Sequence, residues 1–338
     1  MRAVVLVGGF GTRLRPLTLS VPKQMLPVGH VTMLEQVVAR LGSVGVTEVV
    51  LSLGYRPDVF LEAFPDGRCA GVALVYAQEP EPLDTAGAIA FAAREAGIDD
   101  TFLALNGDVL SDLDLDALRA RHEAAGADAT IALTPVDDPS RYGVVLTDDD
   151  GRVVDFIEKP APGTAPSNWI NAGAYVLEPS VLDLIAPGER VSIERVTFPQ
   201  LAAAGSLYAV GSDAYWLDAG TPATYLQANT DLLTGGRRDH VVGVSPDALV
   251  HDSATVTRSV VGARCQIAAE AVVVDSVVMP GAVVGTGARV TGSIIGGGSV
   301  VGEGAQVTGC SVVGFDQKVE PGAALESALV PPKETWES

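Results

Sequence analysis

The chain has 338 residues, a formal net charge of −20 and a hydrophobic fraction of 47%, which suits two packed domains and is typical of a soluble globular protein. The acidic excess argues against nucleic acid or an anionic membrane surface as a partner. No run approaches the roughly 18 apolar residues that a membrane span needs, and the three widely spaced cysteines predict buried thiols in a reducing cytoplasm.

Strand and helix signals alternate through the first part of the chain. Short, β-branched apolar runs predict strands at Ala3–Val7, Glu48–Leu53, Val72–Ala77, Thr101–Leu105 and Ala129–Val136. Amphipathic patterns predict intervening helices at Met33–Leu41, Pro57–Phe64, Thr85–Ala96 and Leu115–Ala124. This alternation predicts an α/β domain with a mainly parallel, mixed sheet, whose ligands bind beyond the carboxyl ends of the strands.

The pattern changes after Asp137. The stretch "YGVVLTDDDGRVVDFIEKP" predicts a hairpin that turns at Asp150 and Gly151. Helical patterns return further along, at Pro179–Ile185, Ile193–Ala204 and Thr221–Leu233. We therefore expect the first domain to cover residues 1–236.

From Val241 the chain becomes periodic. Apolar residues recur in steps of six, six and five at Val244, Val250, Val256, Val261, Ile267, Val273, Val278, Val284, Val290, Ile295, Val301, Val307 and Val312. The steps sum to a 17-residue coil, in which each inward residue stacks on the one a coil away. The pattern resembles a left-handed parallel β-helix of hexapeptide repeats, and about five coils fit into residues 241–330. Residues 331–338 are predicted to form a mobile tail.

A glycine-rich turn follows the first predicted strand. Gly8, Gly9 and Gly11 let the backbone approach a ligand closely, and Arg13 is a planar donor suited to phosphate oxygens. Leu14 stands where a dinucleotide fingerprint has its third glycine, and no Gly-Lys-Ser/Thr follows as in a P-loop. The turn therefore predicts a phosphate site of another type.

Several motifs together identify a family. "GGFGTRLRPLTLSVPKQM" is followed in order by "EPLDTAGA", "LNGDV", "YGVV", "FIEKP", "INAGAY", "SIERVTFPQLAAAG" and "WLDAGTP". This series resembles the sugar-1-phosphate nucleotidylyltransferases, and the forms "LVGGFGTRLRPLT", "SIE…FP" and "NAGAY" are most similar to the mannose-1-phosphate guanylyltransferase branch. The resemblance implies a Rossmann-like nucleotidyltransferase domain that joins a nucleoside triphosphate to a sugar 1-phosphate and releases pyrophosphate.

The resemblance also implies the charged groups of the site. Arg13 would bind the β and γ oxygens of the triphosphate, Lys23 would lie beside the α-phosphate, and Lys159 would hold the sugar phosphate. Asp108 and Asp218 are the implied ligands of Mg²⁺, an ion that prefers carboxylate and phosphate oxygens. Arg13, Lys23 and the two aspartates are thus the implied catalytic residues.

Other family positions imply the remaining contacts. The nucleotide would meet Leu6, Gly8, Gly9, Gly11, Thr12, Glu79, Asp84 and Gly87, and the sugar phosphate would meet Gly143, Glu158, Lys159 and Asn171. Gln24 departs from the proline of the common "PKP", and Asp84 from the glycine of "LGTAG". Because Asp84 falls in the loop that meets the base, the base stays open: this carboxylate could accept hydrogen bonds from guanine or point away.

The family implies GTP and mannose 1-phosphate as substrates, with GDP-mannose as the product. Glucose, cyclitol or heptose phosphates with dTTP, UTP, ATP or GTP are the alternatives within the same reaction class. A hexapeptide acyltransferase is disfavoured because only His251 lies in the coils, and a catalytically silent regulatory paralogue because the charged positions are intact. The histidines, which are His30, His122, His240 and His251, are predicted on the surface or in loops. The C-terminal domain is expected to mediate a homo-oligomer.

Overall fold

The computed structural model describes residues 1–237 and 241–336. The chain divides into two compact units. The first unit is Met1–Gly9 with Leu34–Trp216, and the second unit is Phe10–Met33 with the chain from Leu217 onward. Among the described residues, no helix combines the length and the apolar character that crossing a membrane requires.

The sequence-predicted elements of the first part are confirmed. The strands up to residue 218 are β1 (Arg2–Leu6), β2 (Pro27–Val28), β3 (Val31–Thr32), β4 (Glu48–Leu53), β5 (Arg68–Cys69), β6 (Val72–Gln78), β7 (Phe102–Asn106), β8 (Val109–Ser111), β9 (Ala129–Pro135), β10 (Gly143–Thr147), β11 (Val153–Glu158), β12 (Trp169–Leu177), β13 (Leu207–Gly211) and β14 (Trp216–Asp218). The α-helices in the described ranges are α1 (Met33–Ser43), α2 (Pro57–Ala63), α3 (Asp84–Glu95), α4 (Leu115–Ala125), α5 (Phe198–Ala204) and α6 (Pro222–Thr234). The predicted hairpin is the antiparallel pair β10 and β11.

The first unit is built on a ten-stranded mixed sheet. Its order is β11-β10-β12-β7-β1-β4-β6-β5, and β9 pairs with β12 and β13. The central strands β7, β1, β4 and β6 are parallel neighbours, as the sequence predicts. Their carboxyl ends therefore meet at one edge, where they are followed by Gly8, Gly54, Glu79 and Asp108. This is the edge where ligands bind in open α/β sheets.

Helix α3 packs closely on this sheet. It buries Ala86, Gly87, Ala88, Ile89, Ala90, Ala92 and Ala93, and several of these share a core cluster with Val4 of β1 and Val50 of β4. Small side chains let the helix backbone approach the strands. The N-terminus of α3 is thereby fixed beside the carboxyl edge of the sheet.

Two predicted helices differ in type. Pro179–Leu184 is a 3₁₀-helix, and the stretch predicted as one helix over Ile193–Ala204 begins with a π-helical turn, Ile193–Thr197, before α5. Pro199 at the start of α5 has no N–H to donate, which removes one α-helical hydrogen bond at the junction.

The surface prediction for His122 is wrong. Its side chain lies on the same face of α4 as Leu115 and Leu118, at the helical spacing that the core requires, and it is only 2% exposed. The imidazole is hydrogen bonded to Thr130 Oγ1 at 2.9 Å and to Glu178 Oε1 at 3.0 Å. His30 and His251 are exposed, as predicted, and His240 lies outside the described residues.

The cysteine prediction holds for two of the three thiols. Cys69 and Cys265 are buried, whereas Cys310 is half-buried. Cys310 lies at a corner of the C-terminal solenoid, where its φ of 59° is in the left-handed region.

The C-terminal part of the second unit is the predicted parallel β-helix. Its strands are β15 (Leu249–Val250), β16 (Thr255–Thr257), β17 (Val260–Val261), β18 (Gln266–Ile267), β19 (Val272–Val274), β20 (Val277–Val278), β21 (Val283–Val284), β22 (Arg289–Thr291), β23 (Ile294–Ile295), β24 (Val300–Val301), β25 (Gln306–Thr308), β26 (Val312–Val313), β27 (Lys318–Val319), β28 (Ala324–Glu326) and β29 (Leu329–Val330). They form three five-stranded parallel sheets, as a left-handed β-helix of five coils requires. Val273 pairs with both Val256 and Val290, which gives the predicted 17-residue coil.

The period slips once, which the sequence prediction missed. Ile295 pairs with Val313, not with Val312 at the expected spacing, and Val313 joins the interior cluster. The coil gains a residue at the Gly309-Cys310 corner, where both residues have positive φ. Of the tail, residues 331–336 include a 3₁₀ turn, Lys333–Thr335, and the last two residues lie outside the described ranges.

Candidate active site

The turn after β1 approaches a neighbouring strand closely. A Cβ at Gly8 would lie 3.1 Å from Glu79 Oε1, and one at Gly54 would lie 2.9 Å from the carbonyl oxygen of Gly8. Leu6 ends β1 and pairs with Ser52 and Asn106, and Gly9 follows exposed. The glycines are therefore required by backbone packing at the sheet edge, whatever ligand they meet.

The carboxylate of Glu79 holds the next turn. Its Oε1 accepts a hydrogen bond from Ser52 Oγ at 2.9 Å, and its Oε2 accepts one from the Leu83 backbone at 3.1 Å. Both oxygens are thus engaged inside the protein.

Asp84 occupies a left-handed backbone position. Its φ is 61°, a region that glycine enters at no steric cost and aspartate tolerates better than most residues. Its Oδ1 accepts a hydrogen bond from the Thr85 N–H at 2.8 Å. The constraint at this position is therefore on the backbone, and it suits aspartate or glycine.

Two further candidates in the first unit are Gly87, in α3, and Asp108, beyond the carboxyl end of β7. A Cβ at Gly87 would lie 2.5 Å from the carbonyl oxygen of Glu189, so the glycine admits a second chain segment beside α3. Asp108 follows β7 and is half-buried. The preceding Gly107 donates its N–H to the Leu6 carbonyl at 3.0 Å, which fixes the backbone before the carboxylate.

Three of the sugar-phosphate candidates lie together on the hairpin. Gly143 pairs with Glu158 across β10 and β11, and a Cβ at Gly143 would lie 2.5 Å from the Phe156 ring and 3.0 Å from Glu158 Oε2. Glu158 Oε1 is 3.1 Å from Lys159 Nζ. Lys159 has a φ of 50°, and such strained backbone is common at functional sites.

Asn171 lies in an irregular part of β12. Its side-chain amide donates to Tyr175 Oη at 2.9 Å, and its carbonyl oxygen accepts from the Gly173 N–H at 2.9 Å. Burial, and then the nearby Glu194 carboxylate, raise the pKa of Tyr175 well above its usual value. The phenol therefore stays protonated, and its oxygen serves as the acceptor for Asn171.

Residues 10–33, which the second unit contains, include most of the motif "GGFGTRLRPLTLSVPKQM" and are called the signature loop. This loop folds back on itself. Gly11 has a φ of 59°, and its carbonyl accepts from Thr18 Oγ1 at 2.7 Å. A Cβ at Gly11 would lie 3.0 Å from Thr18 Cγ2 and 3.3 Å from Lys23 Cβ. The 3₁₀ turns Thr12–Leu14 and Lys23–Met25 are thereby brought together, with Thr12 exposed and Lys23 half-buried.

Arg13 and Asp218 form an ion pair in the second unit. Arg13 Nη2 lies 3.4 Å from Asp218 Oδ2, and the two side chains are 57% and 19% exposed. Asp218 Oδ1 is buried and has no hydrogen-bond partner within the described part of the chain. The loop and the "WLDAGTP" motif, 205 residues apart, are thus neighbours.

Gly220 is a site residue that the sequence reasoning missed. A Cβ there would lie 2.6 Å from both Arg13 Nη2 and Asp218 Oδ1, so only glycine leaves room for the pair. The signal was present in "DAGTP", where a glycine follows the aspartate by two positions. Nothing local in the sequence identifies its neighbour, because Arg13 is so distant along the chain.

Comparisons with known proteins agree with this architecture. The family model described as nucleotidyl transferase matches residues 2–235, and the model described as GMPPB C-terminal domain matches residues 239–338. A relative from Mycobacterium tuberculosis named mannose-1-phosphate guanylyltransferase is 43% identical, covering 75% of this chain and 71% of its own. The Arabidopsis thaliana mannose-1-phosphate guanylyltransferase 1 is 40% identical, with 81% and 76% covered.

Solved structures show the same fold. HddC from Yersinia pseudotuberculosis is 29% identical with a TM-score of 0.58, covering 68% of this chain and 97% of that one. A Bacillus anthracis structure described as a putative glucose-1-phosphate thymidylyltransferase has a TM-score of 0.62 at 24% identity, covering 68% and 94%. The family model over most of the chain and the relatives at 40–43% identity show that the chain is a nucleotidyltransferase and belongs to the nucleotidyl transferase family.

Proposed function

We propose that the enzyme transfers GMP from GTP to mannose 1-phosphate, giving GDP-mannose and pyrophosphate. The observation that carries this choice is the agreement among relatives. Those from a bacterium, a plant and a yeast, named as mannose-1-phosphate guanylyltransferases or guanyltransferase, are 40–43% identical over about three quarters of this chain or more. The C-terminal family model points to the same branch.

The reaction needs positioning and charge neutralisation more than covalent chemistry. An oxygen of the sugar phosphate attacks the α-phosphorus in line, a new P–O bond forms, and the bond to the departing pyrophosphate breaks. Bringing two phosphates together is strongly repulsive without nearby cations. Arg13 for the β and γ oxygens, Lys23 for the α-phosphate and Lys159 for the sugar phosphate are the proposed sources of that charge.

The remaining contacts are proposed from the resemblance of the motifs. Leu6, Gly8, Gly9, Gly11, Thr12, Glu79, Asp84 and Gly87 would meet the nucleotide, and Gly143, Glu158 and Asn171 would meet the sugar. The close approach of Gly143 to Glu158 and the pairing of Glu158 with Lys159 support a shared sugar-phosphate subsite. The Lys159–Glu158 pair also keeps the ammonium group in place before substrate arrives.

Magnesium is the proposed cofactor. The family reaction uses triphosphate, and the second unit offers a buried carboxylate oxygen, Asp218 Oδ1, without a partner among the described residues. Asp108 and Asp218 are the ligands proposed from the resemblance, and both present the hard oxygen that Mg²⁺ prefers. In the described ranges no group of three or more His, Cys, Asp or Glu side chains forms a metal site, so phosphate oxygens and water would supply the other ligands. The bound ion would neutralise phosphate charge.

Three wider assignments are also proposed. We assign residues 1–236 to catalysis, 241–330 to the β-helix and 331–338 to a tail. The β-helix would mediate a homo-oligomer, because its parallel sheets offer broad, regular faces. The three cysteines are free, which suits a reducing, cytoplasmic setting.

The test is pyrophosphate release with Mg²⁺ across nucleoside triphosphates and sugar 1-phosphates, including mannose, glucose and N-acetylglucosamine. Asp108→Asn is run alongside. Release confined to GTP with mannose 1-phosphate, and lost in the variant, supports the proposed function. Release with another pair keeps the reaction class and changes the substrate. No release with any pair contradicts the assignment of activity.

A further inference from the structure

The "SIE" motif, Ser192 to Glu194, is part of the family signature but has no role in the reaction as proposed above. It opens the π-helical turn Ile193–Thr197. Such turns are rare and are found frequently at functional sites. The side chain of Glu194 is half-buried and points back toward α3.

The Glu194 carboxylate accepts two short hydrogen bonds on one oxygen. Its Oε2 lies 2.8 Å from Ser192 Oγ and 2.7 Å from Thr85 Oγ1. The Thr85 hydroxyl oxygen in turn accepts the backbone N–H of Ile193 at 2.8 Å. Hydrogen bonds to a carboxylate are about twice as strong as neutral ones, so this pair ties the first turn of α3 to a segment 109 residues away.

Backbone hydrogen bonds reinforce the same junction. The Val191 carbonyl accepts the N–H groups of Ala86 at 2.9 Å and Gly87 at 3.1 Å. The Val191 N–H donates to the Leu83 carbonyl at 3.0 Å. The first N–H groups of a helix have no partner within the helix, and here a distant segment satisfies two of them.

The turn that carries Asp84 is therefore held at both ends. At its start, Glu79 accepts from Ser52 of β4 and from the Leu83 backbone. At its end, Thr85 is bonded to Glu194. Between these anchors Asp84 keeps a φ of 61°, and a strained residue persists only where its surroundings determine it.

We propose that Glu194 is a positioning residue for the nucleotide: through the Thr85 hydroxyl it fixes the turn that carries Asp84. The inference rests on the proposed function, in which that turn meets the base. Without the carboxylate the turn relaxes, and the base loses contacts in the ground state and the transition state alike. Such a change raises KM and leaves kcat nearly unchanged.

The π-helical turn is followed by residues that pack beside the proposed sugar-phosphate contacts. A test can therefore separate an effect on the nucleotide from a general loosening of this region. Phe198, the next residue, packs against Phe156 and Tyr175 at 5.7 and 5.1 Å between ring centroids. General loosening of this region would disturb binding of both substrates. Positioning of the base turn alone would change the KM for GTP and spare that for mannose 1-phosphate.

The experiment compares Glu194→Gln and Thr85→Val with Thr85→Ser, which keeps the hydroxyl. Glu189→Gln is the matched control, because Glu189 is an exposed glutamate of the same segment. Steady-state pyrophosphate release is measured against each substrate in turn. We expect a KM for GTP about tenfold higher in the first two variants, the effect of losing one charged hydrogen bond, with kcat and the other KM nearly unchanged. Thr85→Ser and Glu189→Gln should behave as the unaltered chain.

A double variant, Glu194→Gln with Thr85→Val, should be no worse than either single change, because the two groups act as one unit. An unchanged KM for GTP, or equal rises for both substrates, overturns the inference while pyrophosphate release by the unaltered chain keeps the proposed function. No release by the unaltered chain from any substrate pair overturns both.

Discussion

At the scale of single residues, the ion pair between Arg13 and Asp218 depends on the absence of a side chain at Gly220. A Cβ at Gly220 would lie 2.6 Å from Arg13 Nη2 and 2.6 Å from Asp218 Oδ1, which is closer than real Cβ atoms approach other atoms. The exposed Arg13 head contributes little to stability in such a pair. We propose that the pair instead positions the guanidinium before substrate binds.

Gly220→Ala is therefore expected to displace Arg13 or Asp218. Forcing one carbon into an occupied space costs about 1–3 kcal/mol, so we expect kcat/KM for GTP to fall about tenfold. Pyrophosphate release and thermal unfolding are measured together. Gly236→Ala is the control, since Gly236 is exposed and its nearest neighbour would be 3.3 Å from the new carbon. Full activity in Gly220→Ala would show that the pair has no part in the reaction.

The positive φ of Asp84 leads to a second prediction, which concerns the stability of variants at this position. Alanine there retains the positive φ and loses the hydrogen bond to the Thr85 N–H, whereas glycine loses the hydrogen bond but relieves the strain. Asp84→Ala should therefore be less stable than Asp84→Gly by about 1 kcal/mol. Urea unfolding of both variants measures the difference, and equal midpoints would contradict it.

Much of this site could be predicted from the sequence, but its pairings could not. The resemblance of the motifs implies phosphate or metal contacts for Arg13, Lys23, Asp108, Lys159 and Asp218. The motifs do not show that both carboxylate oxygens of Glu79 accept hydrogen bonds, one from Ser52 and one from Leu83. Such contacts join residues far apart in the chain, and no local pattern encodes them.

At the scale of elements, the β-helix was the most predictable part. Its apolar residues repeat because each must stack on the next coil, so the period is visible in the sequence. The change of register after Val307 is not visible in the sequence, because residues 312 and 313 are both valines and both are fully buried. The register there is set by the extra corner residue, whose effect is visible only in the paired strands. Likewise, the π-helical turn before α5 has an ordinary helical pattern.

The buried serines of the β-helix make a prediction at this scale. Ser276 Oγ donates to the Val274 carbonyl at 2.7 Å and accepts the Ser293 N–H at 3.1 Å, one coil further on. Ser276→Ala leaves the buried Ser293 N–H without that partner, whereas the half-buried Val274 carbonyl keeps the Gly292 N–H as a donor. One unsatisfied buried donor costs about 1–3 kcal/mol. Thermal or urea unfolding should show a clear loss of stability. Thr286→Ala, at an exposed position of the same solenoid, should change stability little, and equal effects would contradict the role of the serine ladder.

At the scale of the whole molecule, the signature loop and the C-terminal domain belong to the same compact unit. Residues 10–33 belong to the unit that contains α6 and the β-helix. The Gly29 N–H donates to Asn229 Oδ1 at 2.8 Å, and His30 Nε2 is 2.6 Å from the Val242 carbonyl oxygen. A Cβ at Gly314 would lie 3.3 Å from Pro16. The β-helix therefore supports the loop that presents Arg13 and Lys23, besides any part it plays in assembly.

Gly314→Met should for that reason affect catalysis. The corresponding position two coils earlier is Met279, which is 1% exposed, so the solenoid holds a methionine at this register. At Gly314 the longer side chain would instead press on Pro16 and shift the loop between Arg13 and Lys23. A strain of about 1–3 kcal/mol corresponds to a fall of about tenfold in kcat/KM for GTP. Met279→Leu, a volume-conserving change in the same solenoid, is the control. Normal kinetics in Gly314→Met would show that a larger side chain at this register does not displace the loop, and that the β-helix can be altered independently of the chemistry.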